Sequence, residues 1–430
     1  MAAAGERRSG LRRHRSRRQP RPHGRRSTVS SPEQAPAVRP LTGKIVALLA
    51  GLAAIGMLST NIILPAFPEM GRALGVSTRE LGLTLSAFFI TFAFGQLAVG
   101  PLADRFGRQK LVLGGLAVFV TGSVLAGCAD SLAQMITGRV IQALGVCATS
   151  VLSRAIARDL YEGDTLARAL SLTMIATAAA PGFSPLLGSL LTLAFGWRIM
   201  FLLVGLSAVV LAVCYRWGMG ETHPADRRAP HSAGTVIRAY CRLLTDQRFI
   251  LPALSMALLM SGLFAAFAAA PAILMNGMGL SPLQAGYFFA STVFVVFSAG
   301  LAAPRLARRF GSARVAAAGI AIATVGGLVL FWGPAHPGPG AYALSMVLFL
   351  LGMGLANPLG TALAMGPFGQ EAGLASALFG FLQMAAAALA TWLGSVLTFA
   401  PVSTLGGLQT SACLMALLLL MMRNAATSPP

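Results

Sequence analysis

The chain contains 430 residues, of which 56% are hydrophobic and only 11% are charged, yet its formal net charge is +20. Because soluble domains carry about 25% charged residues, this composition excludes an ordinary soluble enzyme, and the apolar excess excludes disorder over most of the chain. The 48 Gly residues follow no triplet repeat and the five Cys are widely spaced, which excludes collagen-like and disulfide-rich folds. A polytopic membrane protein remains.

The first 43 residues are rich in Arg, Pro and Ser and show no apolar period. This composition predicts a disordered tail. Such a charge run can attract RNA or anionic lipid. We interpret it as a solvated cytoplasmic tail, and we expect no nucleic-acid partner. The segment does not resemble a secretory signal, since the bulky residues at 64–68 offer no small-residue cleavage site.

Twelve apolar segments follow, each close to the length of about 20 residues that spans a bilayer as a helix. The sequence therefore predicts an all-α membrane protein with twelve transmembrane helices in two pseudo-symmetric six-helix halves, 44–217 and 248–422. A cytoplasmic linker loop at 218–247 separates the halves, and a short cytoplasmic tail occupies 423–430. The predicted spans are 44–67, 80–101, 110–129, 131–153, 168–192, 197–217, 248–273, 283–303, 313–332, 341–364, 372–398 and 403–422.

The basic residues predict the orientation of the chain. With twelve spans, nearly all of the 33 Lys and Arg residues fall on one side, whereas only Arg72, Arg79 and Arg198 fall on the other. Since cytoplasmic loops carry the excess of Lys and Arg, both termini are expected in the cytoplasm.

An internal repeat supports the two halves. Residues 102–107 read LADRFG and residues 306–311 read LARRFG, each after the second span of its half. Parallel halves related by an axis along the membrane normal are a common transporter architecture. The change from Asp104 to Arg308 shows that the halves are not chemically equivalent.

Several stretches carry a family resemblance. The sequence GPLADRFGRQK at 100–110 resembles the loop signature of the major facilitator superfamily. STNIILPAFP at 59–68, RVIQALG at 139–145 with Arg154 and Asp159, and GWR at 196–198 resemble its bacterial drug:proton antiporters of the bicyclomycin and chloramphenicol resistance type. The resemblance implies a monomeric inner-membrane exporter that exchanges a small-molecule substrate for protons.

In the loop after the second span, paired glycines permit a tight turn, and one acid lies among basic residues. The resemblance implies a gating latch here, with Asp104 near the start of the eleventh span at Glu371 and Gly373. The alternative is a simple positive anchor, which needs neither the acid nor the glycines. The predicted latch residues are Gly100, Asp104, Arg105, Gly107 and Arg108.

Arg139 lies within an apolar helix, where an unpaired cation costs several kcal/mol, and Gln142 shares its face. The resemblance links this Arg to proton coupling through a neighbouring acid. The alternative is that Arg139 binds carbonyls of a neighbouring helix. The predicted proton-coupling residues are Arg139, Gln142, Asp159 and Glu69.

The fifth span is expected to form a bent, closely packed hinge helix. Its predicted hinge residues are Pro181, Pro185 and Gly188, because proline removes a helix hydrogen bond and small residues let another helix approach. Ordinary small-residue packing is the alternative.

Asn61 departs from the family pattern, which has Asp at this point. No Asp or Glu lies in the middle of any predicted span. Proton coupling therefore falls to Asp104, Asp159 or Glu69, or is weak. A neutral Asn near Arg139 favours neutral or weakly anionic compounds over cations.

The substrate cavity is expected between the halves near the midplane. Aromatic rings supply apolar contact there, and amides supply orienting hydrogen bonds. For each residue the alternative is helix packing or an interhelical hydrogen bond. The predicted cavity residues are Asn61, Phe88, Phe92, Gln96, Phe264, Phe267, Tyr287, Asn357, Phe379 and Gln383.

We expect no cofactor, no metal site and no enzymatic activity, since the sequence has no phosphate-binding loop, no paired metal-ligand spacing and no nucleophile motif. The main hypothesis is a secondary active multidrug efflux transporter. The alternatives are a metabolite facilitator or importer without strong proton coupling, and a non-transporting membrane assembly protein that uses the basic tail.

Overall fold

The computed structural model describes residues 40–224, 233–334 and 337–427. Over these ranges the protein contains helices and no strand, and twelve of the helices are long and apolar enough to cross a membrane. The predicted fold class and the number of spans are therefore confirmed. The prediction of a disordered tail concerns residues that, up to 39, lie outside the described part of the chain.

Each half contains six spans, and a shorter helix accompanies each set. The first half consists of α1 (Gly43–Asn61), α2 (Phe67–Leu74), α3 (Thr78–Phe106), α4 (Arg108–Gly127), α5 (Leu132–Leu160), α6 (Gly163–Phe195) and α7 (Arg198–Gly218). The second set consists of α8 (Ala233–Thr245), α9 (Gln247–Ala270), α10 (Pro282–Phe310), α11 (Ser312–Phe331), α12 (Pro339–Met365), α13 (Ala372–Val396) and α14 (Pro401–Thr427). A 3-10 turn, Leu64–Ala66, joins α1 to α2 within the first span. A π-helical stretch, Pro271–Gly277, extends α9, and a second 3-10 turn, Gly366–Glu371, precedes α13.

Helix packing repeats between the halves. In the first half α4 packs on α5 and α7, and α1 packs on α6; in the second half α11 packs on α12 and α14, and α9 packs on α13. The halves meet where α3 lies against α13 and where α6 lies against α10. A duplicated six-helix unit is therefore present in the packing as well as in the sequence.

The second span of each half begins and ends with the same local structure. Ser77 and Ser281 form capping boxes at the starts of α3 and α10, which satisfy the free backbone N–H groups of a helix start. Gly107 and Gly311 follow the last residues of these helices with φ of 91° and 87°, a conformation that favours glycine.

The predicted loop between the second and third spans is wrong in extent. Helix α3 continues through Gly100 and Pro101 to Phe106, and only Gly107 separates it from α4. Gly100 therefore makes no turn. One hydrogen bond lost at Pro101 does not end a 29-residue helix that is packed on α5 and α13.

The linker predicted as a loop contains a helix, α8. Val236 and Leu243 are buried on one face, whereas Ile237 is 60% exposed. Helix α8 packs on α9 and α13. Burial of the apolar stripe formed by Val236 and Leu243 stabilises this packing. The apolar spacing is short and interrupted by arginines, so the sequence alone predicts a basic loop here. Residues 225–232 of the linker lie outside the described ranges.

Candidate functional site

A buried arginine lies at the centre of the first half. Arg139 of α5 has no exposed surface. Its Nη1 donates to the carbonyl oxygen of Ser59 on α1 at 3.2 Å and to Oε1 of Gln142 at 2.8 Å. Its Cζ lies 4.3 Å from the centroid of the Phe88 ring on α3, a cation–π contact that is strong when both groups are desolvated. One residue thus connects three helices.

The polar contacts continue from Arg139 toward α4. Nε2 of Gln142 donates to Oγ of Ser123 at 2.7 Å, and this hydroxyl donates to the carbonyl oxygen of Phe119 at 2.8 Å. Both Nε and Nη2 of Arg139 lack a hydrogen-bond partner among the described residues. Within the described ranges no carboxylate pairs with Arg139, so its charge is stabilised by a π-face, a carbonyl and an amide alone.

Asn61 does not replace the missing acid. Its side chain is buried, and Nδ2 donates to the carbonyl oxygen of Met57, one turn earlier on α1, at 2.8 Å. The neighbouring hydroxyls of Ser59 and Thr60 both donate to the carbonyl oxygen of Gly56. These bonds within the helix leave the end of α1 polar in composition but uncharged.

An aromatic cluster joins the halves next to this site. Phe88 and Phe92 stack with ring centroids 6.1 Å apart, and Phe89 lies 4.6 Å from Phe264 of α9. Phe264 contacts Phe267 at 6.4 Å, and Phe267 contacts Phe289 of α10 at 5.6 Å. The predicted residues Phe88, Phe92, Phe264 and Phe267 therefore come together. The sequence reasoning missed Phe89 and Phe289. Their signal in the sequence is helical spacing: Phe89 and Phe92 are at i and i+3, and Phe289 and Val293 are at i and i+4.

The remaining predicted cavity residues occupy different environments. Gln96 and Phe379 are buried, and Asn357 and Gln383 are half-buried. Oδ1 of Asn357 has no hydrogen-bond partner among the described residues. Tyr287 is 58% exposed. It lies on the face of α10 opposite Phe289, and it is not part of the aromatic cluster, because a helix turns about 100° per residue.

A second polar cluster lies at the end of the helices that carries most of the arginines, which we call the basic end. Nη1 of Arg108 pairs with Oδ1 of Asp104 at 2.8 Å, and Nε pairs with Oδ2 of Asp159 on α5 at 3.2 Å. Arg105 is exposed and lies over the ring of Phe106. Arg108 therefore bridges α3 and α5 within the first half, and Arg105 takes no part in the bridge.

Two residues after α7 complete this cluster, and the sequence reasoning did not identify them. Oε1 of Glu221 accepts from the backbone N–H of Arg108 at 2.9 Å, and Oε2 accepts from that of Gln109 at 3.3 Å. The carboxylate thus caps the positive start of α4. Oγ1 of Thr222 contacts Oδ2 of Asp159 at 3.1 Å. The predicted latch residues Asp104 and Arg108 connect α3, α4, α5 and the end of α7, all in one half.

A cavity of about 630 Å³ lies between the halves at the basic end. Its wall includes Gly100, Asp104 and Arg108 from the first half and Glu371 and Gly373 from the second. Asp104 and the start of the eleventh span thus line the same cavity, without an ion pair between them among the described residues. The ion pair of Glu371 is made with Arg242 of α8, however, and not with the first half.

Helix α8 forms one side of this cavity. The hydroxyl of Tyr240 donates to the carbonyl oxygen of Leu97 on α3 at 3.2 Å. Burial raises the pKa of Tyr240 to about 12, which favours the protonated hydroxyl that donates this bond. Together with the Arg242–Glu371 pair, this bond holds α8 between α3 and α13.

The halves are tied together at the opposite end. Nη1 of Arg79, at the start of α3, donates to the carbonyl oxygen of Leu397 at 2.8 Å, and Nη2 donates to that of Phe399 at 2.7 Å. Nδ2 of Asn276 donates to Oγ1 of Thr78 at 3.2 Å. Deeper along α3, Ser86 and Thr391 share a hydrogen bond of 2.9 Å. The structure is therefore closed at the Arg79 end and hollow at the basic end.

The predicted hinge helix, α6, contains Pro181 and Pro185 without interruption. A Cβ at Gly188 would overlap the carbonyl oxygen of Ile62, so α6 approaches the end of α1 closely. Glu69, the predicted acid at the end of the first span, is half-buried. It takes no part in the ion pairs of the Arg108 cluster. Among the described residues no group of His, Cys, Asp and Glu could hold a metal ion.

Comparisons with known proteins agree with this architecture. The model of the family described as Major Facilitator Superfamily matches residues 49–391. Multidrug resistance protein D of Escherichia coli (strain K12) is 31% identical over 385 residues, which cover 88% of this chain and 94% of the relative. An uncharacterized MFS-type transporter, YdgK of Bacillus subtilis (strain 168), is 30% identical over 346 residues, 78% of this chain and 85% of the relative.

A solved structure has the same fold. The crystal structure of a D-xylose-proton symporter superposes with a TM-score of 0.68 at 17% identity, and the match covers 87% of this chain and 96% of that chain. The twelve spans, the duplicated packing and the matched length lead to one conclusion: this chain is a twelve-span transporter protein, not an enzyme, and it belongs to the Major Facilitator Superfamily.

Proposed function

We propose that the protein is a secondary active multidrug efflux transporter of the bacterial cytoplasmic membrane, and that it exports small amphipathic compounds, neutral ones more readily than cationic ones. Its similarity to Multidrug resistance protein D over most of both chains supports drug efflux. One observation carries the preference for neutral compounds: Arg139 is fully buried and pairs with no carboxylate among the described residues.

A cation buried in an environment of low dielectric constant repels a second cation strongly, because few water dipoles screen the interaction. A carboxylate beside the substrate would offset that cost, because charges within a membrane are commonly paired with one another. Asn61, at the point where relatives of the drug-antiporter type have Asp, is neutral and bonds to its own helix. The aromatic cluster adds apolar surface suited to amphipathic rings.

Transport proceeds in this proposal by alternating access, with one half rocking against the other. The contacts of Arg79 and Asn276 close one end, and the cavity occupies the other. With both termini in the cytoplasm, this arrangement takes up substrate from the cell. Helix α6 is the hinge helix in this proposal, and its hinge residues are Pro181, Pro185 and Gly188. The transporter works as a monomer, and its partners are protons, lipid and substrate.

We assign proton coupling to the carboxylates at the basic end. Asp104 and Asp159 both pair with Arg108 and both line the cavity. A proton on either carboxylate weakens its pair with Arg108 and loosens the connection between α3 and α5. Arg139, which donates to Oε1 of Gln142, then acts as the buried charge that senses the substrate, and Glu69 is the alternative proton carrier.

Expression in a pump-deficient bacterium tests the proposal. Susceptibility to a panel of neutral and cationic drugs is measured with and without an uncoupler. We expect resistance to neutral amphipathic drugs, such as phenicols, that disappears with the uncoupler. Unchanged susceptibility across the panel, or equal export of a cationic dye from energised vesicles, would contradict it.

The second candidate is a facilitator or importer of a metabolite without strong proton coupling, and the uncharged end of α1 favours it. The substitution Asn61→Asp separates the two. In a proton antiporter the new carboxylate is expected to add pH-dependent efflux of cations, whereas a facilitator shows no pH dependence. Deletion of residues 1–40 separates the third hypothesis, an assembly protein that uses the basic tail, from the other two, because a transporter should keep its activity without the tail.

A further inference from the structure

The cavity at the basic end has a charge that its own ion pairs do not balance. Five arginines line it, against three carboxylates. Arg108 is paired with Asp104 and Asp159, and Arg242 is paired with Glu371. All three carboxylates of the cavity wall are thus in ion pairs with these two arginines. The arginines that remain are Arg154, Arg158 and Arg238.

These three arginines have no ion pair within residues 40–224, 233–334 and 337–427. Arg154 is half-buried on α5, and Arg158 follows it by one helical turn, where like charges repel. Arg238 is exposed on α8, and its Nε donates only to the carbonyl oxygen of Gly234 on its own helix. Helices α5 and α8 thus both contribute arginines without an ion pair among the described residues to the wall of the same cavity.

The position of these charges differs from that of ordinary membrane anchors. Basic residues that only orient a membrane protein lie in short cytoplasmic loops near the ends of the spans, and they need no cavity. Arg154 and Arg158 instead line a cavity between the halves, next to the apolar side chains of Val151, Leu152 and Leu374. Low-dielectric walls strengthen the field of a charge cluster and raise the local concentration of counter-ions.

We propose that this cavity binds a small organic anion. Its carboxylate, sulfonate or phosphate group lies between Arg154 and Arg158 of α5 and Arg238 of α8, and its apolar part contacts Val151 and Leu374, which are partly exposed. The volume of about 630 Å³ falls within the range of small-molecule sites. The site is distinct from Arg139 and Asn61, and binding there does not depend on the proposed export.

The test uses two ligands of nearly the same shape, 2-naphthoate, which is an anion, and 2-naphthamide, which is neutral. Their binding to the full-length protein in phosphatidylcholine nanodiscs is measured by equilibrium dialysis, with empty nanodiscs subtracted. We expect the parent protein to bind naphthoate at least about tenfold more tightly than naphthamide. Equal affinities would overturn the proposal.

Substitutions assign the preference to the site. Arg238→Gln is expected to weaken naphthoate binding about tenfold and to leave naphthamide binding unchanged. This exposed position on α8 makes no contact that the fold requires, so the variant remains folded. Arg158→Gln should have the same effect, and Arg158→Lys should retain most of the affinity. Arg305→Gln is the matched control, since Arg305 is exposed at the same end and outside the cavity. A preference that survives Arg238→Gln and Arg158→Gln would overturn the assignment.

A final comparison identifies the source of the anion. In nanodiscs that contain phosphatidylglycerol, naphthoate binding should persist, because the site takes a soluble ligand. Displacement of naphthoate by this lipid would show that a lipid headgroup occupies the site and would overturn the proposal. Transport assays in cells are scored separately, so that a failure of drug efflux leaves this binding result intact.

Discussion

The two halves pack in the same way but contain different chemistry. An added Cβ at Gly122 of α4 would overlap the backbone of Gly138 and Gln142 on α5, and one at Gly326 of α11 would overlap Ser345 and Phe349 on α12. Gln142 thus corresponds to Phe349.

By the same register, Arg139 corresponds to Met346. The first half buries a charge at this helix pair, whereas the second half buries Met346 and Phe349. The second half also retains a polar contact, because Oγ of Ser345 donates to the carbonyl oxygen of Gly326 at 2.7 Å. The close packing of small residues at this helix pair is therefore common to both halves, whereas the buried charge lies in the first half alone among the described residues.

The largest effect is expected when the charge is placed in the wrong half. Met346→Arg buries a cation beside Phe349, with no amide to accept its hydrogen bond, and should cost about 3 kcal/mol. We expect little folded protein by size-exclusion chromatography and a large loss of thermal stability. Met346→Leu, which conserves volume, is the control and should be close to the parent. Parent-like stability of Met346→Arg would show that the halves are chemically interchangeable.

The converse change, Arg139→Met, should separate stability from transport. Replacement of a buried charge by an apolar side chain of similar length is often neutral or stabilising, so thermal unfolding should change little. Uncoupler-sensitive efflux should fall at least about tenfold, because the buried charge is gone. Arg139→Lys, which keeps the charge but not the planar donors, should retain part of the activity. Full efflux by Arg139→Met would assign Arg139 to packing alone.

The ends of the second and eighth spans permit a further comparison. Asp104 pairs with Arg108, whereas the repeat has Arg308 at the same point. Asp104→Asn should lower transport about tenfold, and Arg308→Asn should leave it nearly unchanged. Efflux measured in inverted vesicles, normalised to protein content, decides the result. Equal losses in both variants would indicate a general charge effect.

The smallest effects concern single hydroxyl groups. Ser345→Ala removes one hydrogen bond and should cost about 0.6 kcal/mol of stability, the average for bonds between membrane helices. Ser123→Ala should cost more, because Nε2 of Gln142 loses its acceptor. Unfolding curves in mixed micelles measure both, and the reverse order would contradict the view that the first half carries the polar network.

The sequence predicted the local features of this protein well. The twelve spans followed from the length of apolar runs, and the repeat followed from 102–107 and 306–311. Arg139 was recognisable because a cation inside an apolar run is costly wherever the helix lies. These properties depend on neighbours along the chain, so they can be read without knowledge of the packing.

The sequence predicted contacts between helices less completely. Tyr287 and Phe289 are two residues apart on α10, but only Phe289 faces Phe267, and this depends on how the helix is rotated. Glu221 carries no motif, yet it caps α4 from the end of α7. Helix α8 was not predicted, because Arg238 and Arg242 interrupt its apolar spacing.

The amino-acid sequence by itself thus determined the membrane class, the number of spans, the duplicated unit and the buried cation, because hydrophobic length and charge act locally. Only the tertiary structure decided which rings meet, which end is closed and which arginines remain unpaired around a cavity. Those features arise from the rotation and approach of helices that are distant in sequence, and small residues such as Gly122 and Gly326 set that approach.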